Sequence, residues 1–458
     1  MLKVATLKWF ERALWLAAVF AFALAPAAAL APVRAQEAAL PPSGMVCTTS
    51  PGPNPVFTLT ARTGYISLAD GNTAFMWSFS NGDEPFQYPG PVLCVNEGDN
   101  VSVVVRNTLT VPISLVFPGQ AGVLADGAPV QPDLANNSLT TSIPAGGVLT
   151  YSFTASRPGT FGYQSGTNPA IQVNMGLFGA LVVRPALAGG VDTAGGTPIP
   201  FGYAYGLTST VFNADTEYLL MLSEIDPYLH TAVERGQPFD LAQYKPRYNL
   251  INGRAFPDTL APNGASWLPA QPYGALTHIR PLDPRTTILV SGVPTANPAY
   301  YPYPALQRYL NFGYEDVPFH PHGNSGIVIG RDGYVLNDAA QGDLSFEKFT
   351  VPVAPGQSWD VTFDWRDAES FDPVVNPIPV EVPNEASVQI GAWFGSPYLG
   401  QVDTPAIVGI TSFNQCGEYY HIAHSHNLTQ INGWNSLMVG LITFTRVDPP
   451  LPNNCPVN

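Results

Sequence analysis

Charged residues are scarce in this 458-residue chain: Asp, Glu, Lys and Arg together make up 12% of it. With 42 glycines and 47 prolines beside them, that scarcity argues against long solvated helices and predicts a turn-rich β protein. Positive charge is scarcer still. Nineteen Lys and Arg stand against 34 Asp and Glu, a formal net charge of −15. Such a chain repels phosphate backbones and anionic membranes, which excludes nucleic acid as a partner. Only four cysteines occur, Cys47, Cys94, Cys416 and Cys455, and no C-x-x-C among them. That excludes thiolate zinc fingers and dithiol redox motifs, and the even number predicts disulfides in an oxidising compartment. One bridge in each half, Cys47–Cys94 and Cys416–Cys455, is the simplest of three pairings. Cys416 lies eight residues before His424, which leaves a soft metal ligand as its other reading. Also absent are a G-x-S-x-G elbow, a phosphate-cradling Gly-Lys-Ser/Thr loop and an H-E-x-x-H helix.

Long apolar runs are missing except for Ala13–Leu30. It follows Lys3, Lys8 and Arg12 and precedes the small-residue stretch Val33-Arg34-Ala35. This order predicts an export signal over residues 1–35, no membrane-spanning segment after its removal, and a secreted, periplasmic or cell-surface protein.

What is present is alternation. Val101, Val103 and Val105, then Leu149, Tyr151 and Phe153, then Trp359, Val361, Phe363 and Trp365 recur at period two, the spacing of half-buried strands. The chain also repeats itself in order. "RNTLTVPISLVFPGQ" (106–120) parallels "YLNFGYEDVPFHPHGN" (309–324), and "IPAGGVLTYSFTA" (143–155) parallels "VAPGQSWDVTFDW" (353–365). "GTFGYQSGT" (159–167) parallels "GEYYHIAHSHN" (417–427), and "GLFGALVVRP" (176–185) parallels "SLMVGLITFTRVDP" (436–449). Four matched blocks predict two copies of one antiparallel sandwich. The first is expected over 50–186 and the second over 217–450, with a Gly-rich linker at 187–216. The second copy carries insertions near 226–306 and 366–386. Tyr300, Tyr301 and Tyr303 in the first insertion could line a binding face, although such runs more often pack over a core. Asp360, Asp364, Asp367 and Glu369 could form a glycosidase-like pair, but they lie on or beside a strand and are expected to face solvent or bind no more than water.

Histidine is scarce, yet four of its seven copies form two H-x-H pairs. His320 and His322 stand in "VPFHPHGNSG". His424 and His426 stand in "YYHIAHSHN", with His421 just upstream. On a strand, residues i and i+2 share a face, so each pair can aim two imidazoles at one point. Neutral imidazole is the commonest biological ligand for zinc, copper, iron and nickel. The two pairs therefore predict one metal site assembled by folding, at the junction of the sandwiches.

These blocks resemble the multicopper oxidases, which are built from cupredoxin-like sandwiches. "YPGPVLCVNEGDNVSVVVRNTL" is similar to that family's opening motif, "VPFHPHG" to its HPxHxHG and "HIAHSHN" to its HCHxxxH. The resemblance implies an all-β fold of two Greek-key cupredoxin-like domains, and copper as the cofactor. It also implies a three-copper cluster held by eight histidines and a blue copper bound through a cysteine. Carried over by position, His320, His322, His424 and His426 match four of the cluster ligands. The other four positions hold Val116, Pro118, Gln164 and Gly166. The blue-copper positions hold Val317, Ser425 and, near the end of the motif, Gln430. None of these offers a thiolate or imidazole.

The expectation is thus a reduced histidine site, without four-electron oxidase activity by the chain alone. Two alternatives stay open. One is a non-catalytic scaffold serving a binding or structural role at the cell surface. The other is a copper oxidoreductase whose ligands are completed by a partner chain, in a homo-oligomer or with a different protein. No catalytic residue is assigned.

Overall fold

A computed structural model describes residues 43–323, 325–365 and 419–448. The expected signal segment, Cys416, Cys455, the 366–386 insertion, Asp367 and Glu369 lie outside the described residues. Among the described residues no helix is long and apolar enough to cross a membrane.

Alternating apolar residues build the strands as expected. In the first half these are β1 (Val56–Ser67), β2 (Thr73–Asn81), β3 (Leu93–Asn96), β4 (Asn100–Asn107), β5 (Val148–Thr154), β6 (Gly159–Gln164) and β7 (Phe178–Arg184). One sheet runs β2-β1-β4-β5 and the other β3-β7-β6. Val101, Val103, Val105, Tyr151 and Phe161 turn inward between them and are buried. The stretch expected as a linker instead folds into a small antiparallel sheet, β8 (Gly190–Asp192), β9 (Ile199–Tyr203) and β10 (Val211–Asn213).

The second half holds β11 (Glu217–Ile225), the short helix α1 (Pro227–Glu234), β12 (Tyr248–Ile251), β13 (Thr277–Ile279), β14 (Ala305–Asn311), β15 (Val317–Pro321), β16 (Gly326–Arg331), β17 (Val351–Val353), β18 (Ser358–Phe363), β19 (Tyr419–Ser425) and β20 (Ile442–Val447). Its sheets run β12-β11-β14-β18-β16 and β13-β20-β19-β15-β17. Leu220, Leu222, Tyr309, Phe319, Val361 and Leu441 fill the space between them. The molecule is all-β, two cupredoxin-like sandwiches in series.

The repeat read from the sequence extends to individual hydrogen bonds. In the first copy the Asn107 side chain donates to the Val111 carbonyl (2.8 Å) and the Ile143 carbonyl (3.1 Å), while its amide oxygen accepts from Leu109 (3.0 Å). In the second, Asn311 donates to the Glu315 carbonyl (2.8 Å) and the Val353 carbonyl (2.9 Å) and accepts from Gly313 (2.8 Å). Each asparagine closes the loop after its strand, satisfying carbonyls that burial would otherwise strand.

Between the two sandwiches Phe178 stacks on Phe312, with ring centroids 4.1 Å apart. A Cβ at Gly162 would sit 2.9 Å from the Phe312 ring, so only glycine lets β6 approach this closely. Beside them lies a buried ion network. Arg308 Nε donates to Glu217 (2.7 Å), and its Nη1 donates to Thr160 (2.9 Å) and lies 3.2 Å from Asp360. Tyr205 donates to the second Asp360 oxygen at 2.6 Å. The expectation that Asp360 faces solvent is corrected here: it is 1% exposed. Strand periodicity did point it away from its own core, but β6 of the first sandwich covers that outer face.

Cys47 and Cys94 form a disulfide, with Cα atoms 5.6 Å apart, tying the segment before β1 to β3. Peptide mapping without reduction should recover a linked pair of peptides carrying these two residues. A free thiol at either position would contradict the pairing.

Candidate metal centre

Strands β15 and β19 pair antiparallel with Phe319 opposite Ser425, His320 opposite His424 and Pro321 opposite Ala423. Val317 and Phe319 point into the core, so the alternation of β15 turns His320 to the other face. The pairing brings the two H-x-H motifs together. Ring centroids lie 4.5 Å apart for His320–His322, 4.6 Å for His320–His426, 5.1 Å for His322–His424 and 5.3 Å for His424–His426. His322 Nε2 and His424 Nε2 are 3.1 Å apart. Every ring or hydrogen-bond contact of these four side chains among the described residues is with residues of the second sandwich.

Backbone carbonyls fix two of the tautomers. A carbonyl only accepts, so His320 Nδ1–H donates to the Phe349 carbonyl at 2.5 Å and His424 Nδ1–H to the Ser425 carbonyl at 2.8 Å. Each ring then keeps its lone pair on Nε2. Burial, followed by the neighbouring imidazoles His320, His424 and His426, pushes the His322 pKa down to about 4. Burial also lowers His424. His421, stacked on Trp365 at 4.5 Å, is pushed down to about 4 by burial and then by His322. The inner rings are therefore neutral at neutral pH. Among the described residues, however, no three or more His, Cys, Asp or Glu side chains are gathered into an arrangement that would hold a metal ion.

The same strand positions in the first sandwich carry different chemistry. Val116 and Gln164 bridge antiparallel, with mutual backbone hydrogen bonds of 2.8 and 3.1 Å, just as His320 faces His424. Val116, Pro118 and Gly166 carry no side-chain ligand atom in place of the missing imidazoles, and Gln164 offers only an amide oxygen, a poor copper ligand. Gly166 has no room for a side chain, since a Cβ there would lie 2.8 Å from Val116. Beside it Ser114, Ser138 and Thr167 close a buried hydroxyl cluster with contacts of 2.9–3.0 Å.

At the position where the resemblance implies a copper-binding cysteine, Ser425 donates to Gln430 Oε1 at 2.6 Å and accepts from the Asn427 amide at 3.1 Å. Gln430 Nε2 in turn donates to Glu315 (2.9 Å) and the Asp316 carbonyl (3.0 Å). Both Ser425 and Gln430 are fully buried. The first sandwich holds the same strut. Ser165 donates to Gln172 (2.6 Å) and accepts from Thr167 (3.1 Å), and Gln172 donates to the Pro112 carbonyl (2.8 Å). Sequence reasoning missed this pair. Its only signal is a serine within the third repeat block and a glutamine after it, Ser165 with Gln172 and Ser425 with Gln430.

A multicopper oxidase family model matches residues 61–187. This stretch is similar to a multicopper oxidase domain. A blue copper oxidase from Nitrosomonas europaea shares the fold over 86% of this chain and 85% of its own, with a TM-score of 0.51 and 18% identity. A second multicopper oxidase structure aligns over 88% and 87%, with a TM-score of 0.50. Among curated proteins, a probable nitrite reductase–hydroxylamine oxidoreductase fusion protein of Kuenenia stuttgartiensis is 30% identical over 204 residues, 42% of this chain and 22% of that protein. An L-ascorbate oxidase of Cucurbita pepo var. melopepo is 34% identical over 99 residues, 22% of this chain and 17% of the oxidase. The chain thus spans less than a quarter of the length of these curated relatives.

Proposed function

We propose that this is an exported cupredoxin-like protein that binds copper at a reduced histidine site in its second sandwich and does not by itself carry out four-electron oxidation. The carrying observation is the 3.1 Å separation of His322 Nε2 and His424 Nε2. Two nitrogens bound to one ion at 2.0–2.1 Å stand roughly 2.9–3.4 Å apart for angles of 90–110°. His320 and His426 flank the pair. The carbonyls on two Nδ1 atoms supply the hydrogen bonds that orient metal-binding imidazoles, and burial keeps His322 neutral. Bound copper would supply one-electron redox chemistry. Storing four electrons needs an electron-collecting centre and a full cluster, and Ser425, Val317, Val116, Pro118, Gln164 and Gly166 cannot bind the required metals. The Cys47–Cys94 disulfide supports a compartment outside the cytoplasm.

A second reading, a metal-free scaffold with a binding or structural role, draws support from the absence of a gathered three-ligand set among the described residues.

Elemental analysis separates the two. Protein exposed to copper and desalted is expected to retain roughly one ion per chain, with His424→Ala retaining at least ten-fold less. No retention by either would leave the scaffold reading. Retained copper should show no intense thiolate charge-transfer band, since trigonal His₂Cys ligation is what produces a blue centre. Sustained turnover of a phenol by the purified chain would sink the proposal.

A further inference from the structure

A cavity of about 320 Å³ opens where the small β8–β10 sheet meets the end of β13. Its walls include Ile199, Tyr218, Tyr300, Tyr301 and Ile279, with Arg280 among the lining residues. His278 is among its lining residues, but the cavity is remote from His320, His322, His424 and His426. His424 pairs with Ile442 at one end of β20, while Ile279 pairs with Val447 five residues on, about 17 Å along the strand.

The tyrosines serve as walls, because their hydroxyls are already used. Tyr218 donates to the His278 carbonyl, and Tyr300 to Asp192 at 2.7 Å. Tyr301 bonds to Thr216. The cation left open on this cavity is Arg280, with the exposed carboxylate Asp215 also among the lining residues. Arg446 and His278 share Asp448, and Arg184 and Arg308 share Glu217. Arg280 has no hydrogen bond or ion pair to any described residue, although it is half-buried. In a chain with 34 acidic residues against 19 basic ones, a half-buried guanidinium without a carboxylate marks a place for one brought from outside.

We propose that this cavity binds a small aromatic monocarboxylate, its ring between the tyrosines and its carboxylate on Arg280. The volume fits a single ring with short substituents. Aromatic walls favour a flat apolar body, and the planar guanidinium fork matches a carboxylate in two-point contact. A dianion such as phosphate is disfavoured, because Arg280 is a single cation and the exposed Asp215 carboxylate also lines the cavity. This site is independent of copper and goes beyond the function proposed above.

Titration calorimetry on the full chain tests it, with benzoate as probe, benzamide as the neutral isostere and sulfate as competitor. Benzoate should bind saturably, and benzamide at least about 10-fold more weakly. Arg280→Met should lower benzoate affinity by about 10-fold or more. Should that variant fold poorly, Arg280→Lys, which keeps the charge and loses the fork, should still weaken binding several-fold. His424→Ala should leave it unchanged. The proposal is overturned by any of four results: no saturable binding up to about 10 mM, equal affinity for benzoate and benzamide, displacement by sulfate at matched concentration, or loss of binding in His424→Ala. The last would place the anion at the histidines.

Discussion

Arg308→Ala is expected to lower the free energy of unfolding by about 3–5 kcal/mol, the usual cost of removing one partner from a buried ion pair. Arg308 has no exposure and Glu217 little. Burial alone would raise the Glu217 carboxyl, and the Arg308 and Arg184 guanidiniums overcome it, holding the group below the ordinary carboxylate range. Arg308 is raised for the converse reason, with Glu217 and Asp360 outweighing burial. Without Arg308, Asp360 is left in the interior with only Thr160 and Tyr205 as neutral donors, and that uncompensated charge carries most of the loss. The triple variant Arg308→Met, Glu217→Gln, Asp360→Asn leaves none of these three groups charged and should recover much of the stability. Denaturant unfolding measures both proteins. A single Arg308→Ala within about 1 kcal/mol of the parent would mean that the network is not desolvated as described.

This network also marks where sequence reading stopped. Cross-strand pairing puts Arg308 opposite Asp360 and Val104 opposite Thr150, the same position in the two repeats. The period-two runs 101–105, 149–153 and 359–365 turn Val104, Thr150 and Asp360 away from their own cores. Periodicity carried no information on which outer face a second sandwich would cover, because that depends on contacts between β6 and β18 far apart in the chain. The fold class and the ordered repeat were legible, since period-two alternation and turn residues act locally. The H-x-H pairs were legible as candidates for the same reason, and register on β15 and β19 brings them together. The Ser–Gln struts were not, because a buried glutamine looks like any surface glutamine until its partner is placed. Residues 187–216 looked like a linker from their glycines, yet Phe212 and Tyr205 anchor that stretch against Leu306 and Ile329. Tyr300 and Tyr301 pack with Ile199 beside it, so the tyrosine run covers a core and also lines a cavity.

Two buried groups, His230 and Glu224, make opposing contributions to the pH dependence of stability. His230 on α1 donates from Nδ1 to the Phe75 carbonyl at 2.6 Å, binding the helix to β2. Burial pushes it from 6.5 down to about 4, against the upward pull of the Phe75 carbonyl and Asp226. Between about pH 6.5 and 4 the unfolded chain holds a proton here that the folded chain refuses, so this group makes stability fall as pH falls. Glu224 on β11 is the reverse. Burial raises it from 4.5 to about 7, with the Tyr314 amide working against that and Glu315 adding to it. Between about pH 4.5 and 7 the folded chain holds the extra proton, and stability falls as pH rises. Each slope amounts to roughly 1.4 kcal/mol per pH unit, or about 3 kcal/mol across its window. Over the shared range the two nearly cancel. Removing one should expose the other. Relative to the parent, His230→Asn, which keeps a donor for Phe75 but cannot titrate, should gain stability on going from pH 6.5 to 4.5. Glu224→Gln should gain stability on going from pH 4.5 to 7. Contributions from the other histidines are common to parent and variant and drop out of both differences. Parallel stability–pH curves for parent and variants would show that neither group is held in its neutral form by the fold.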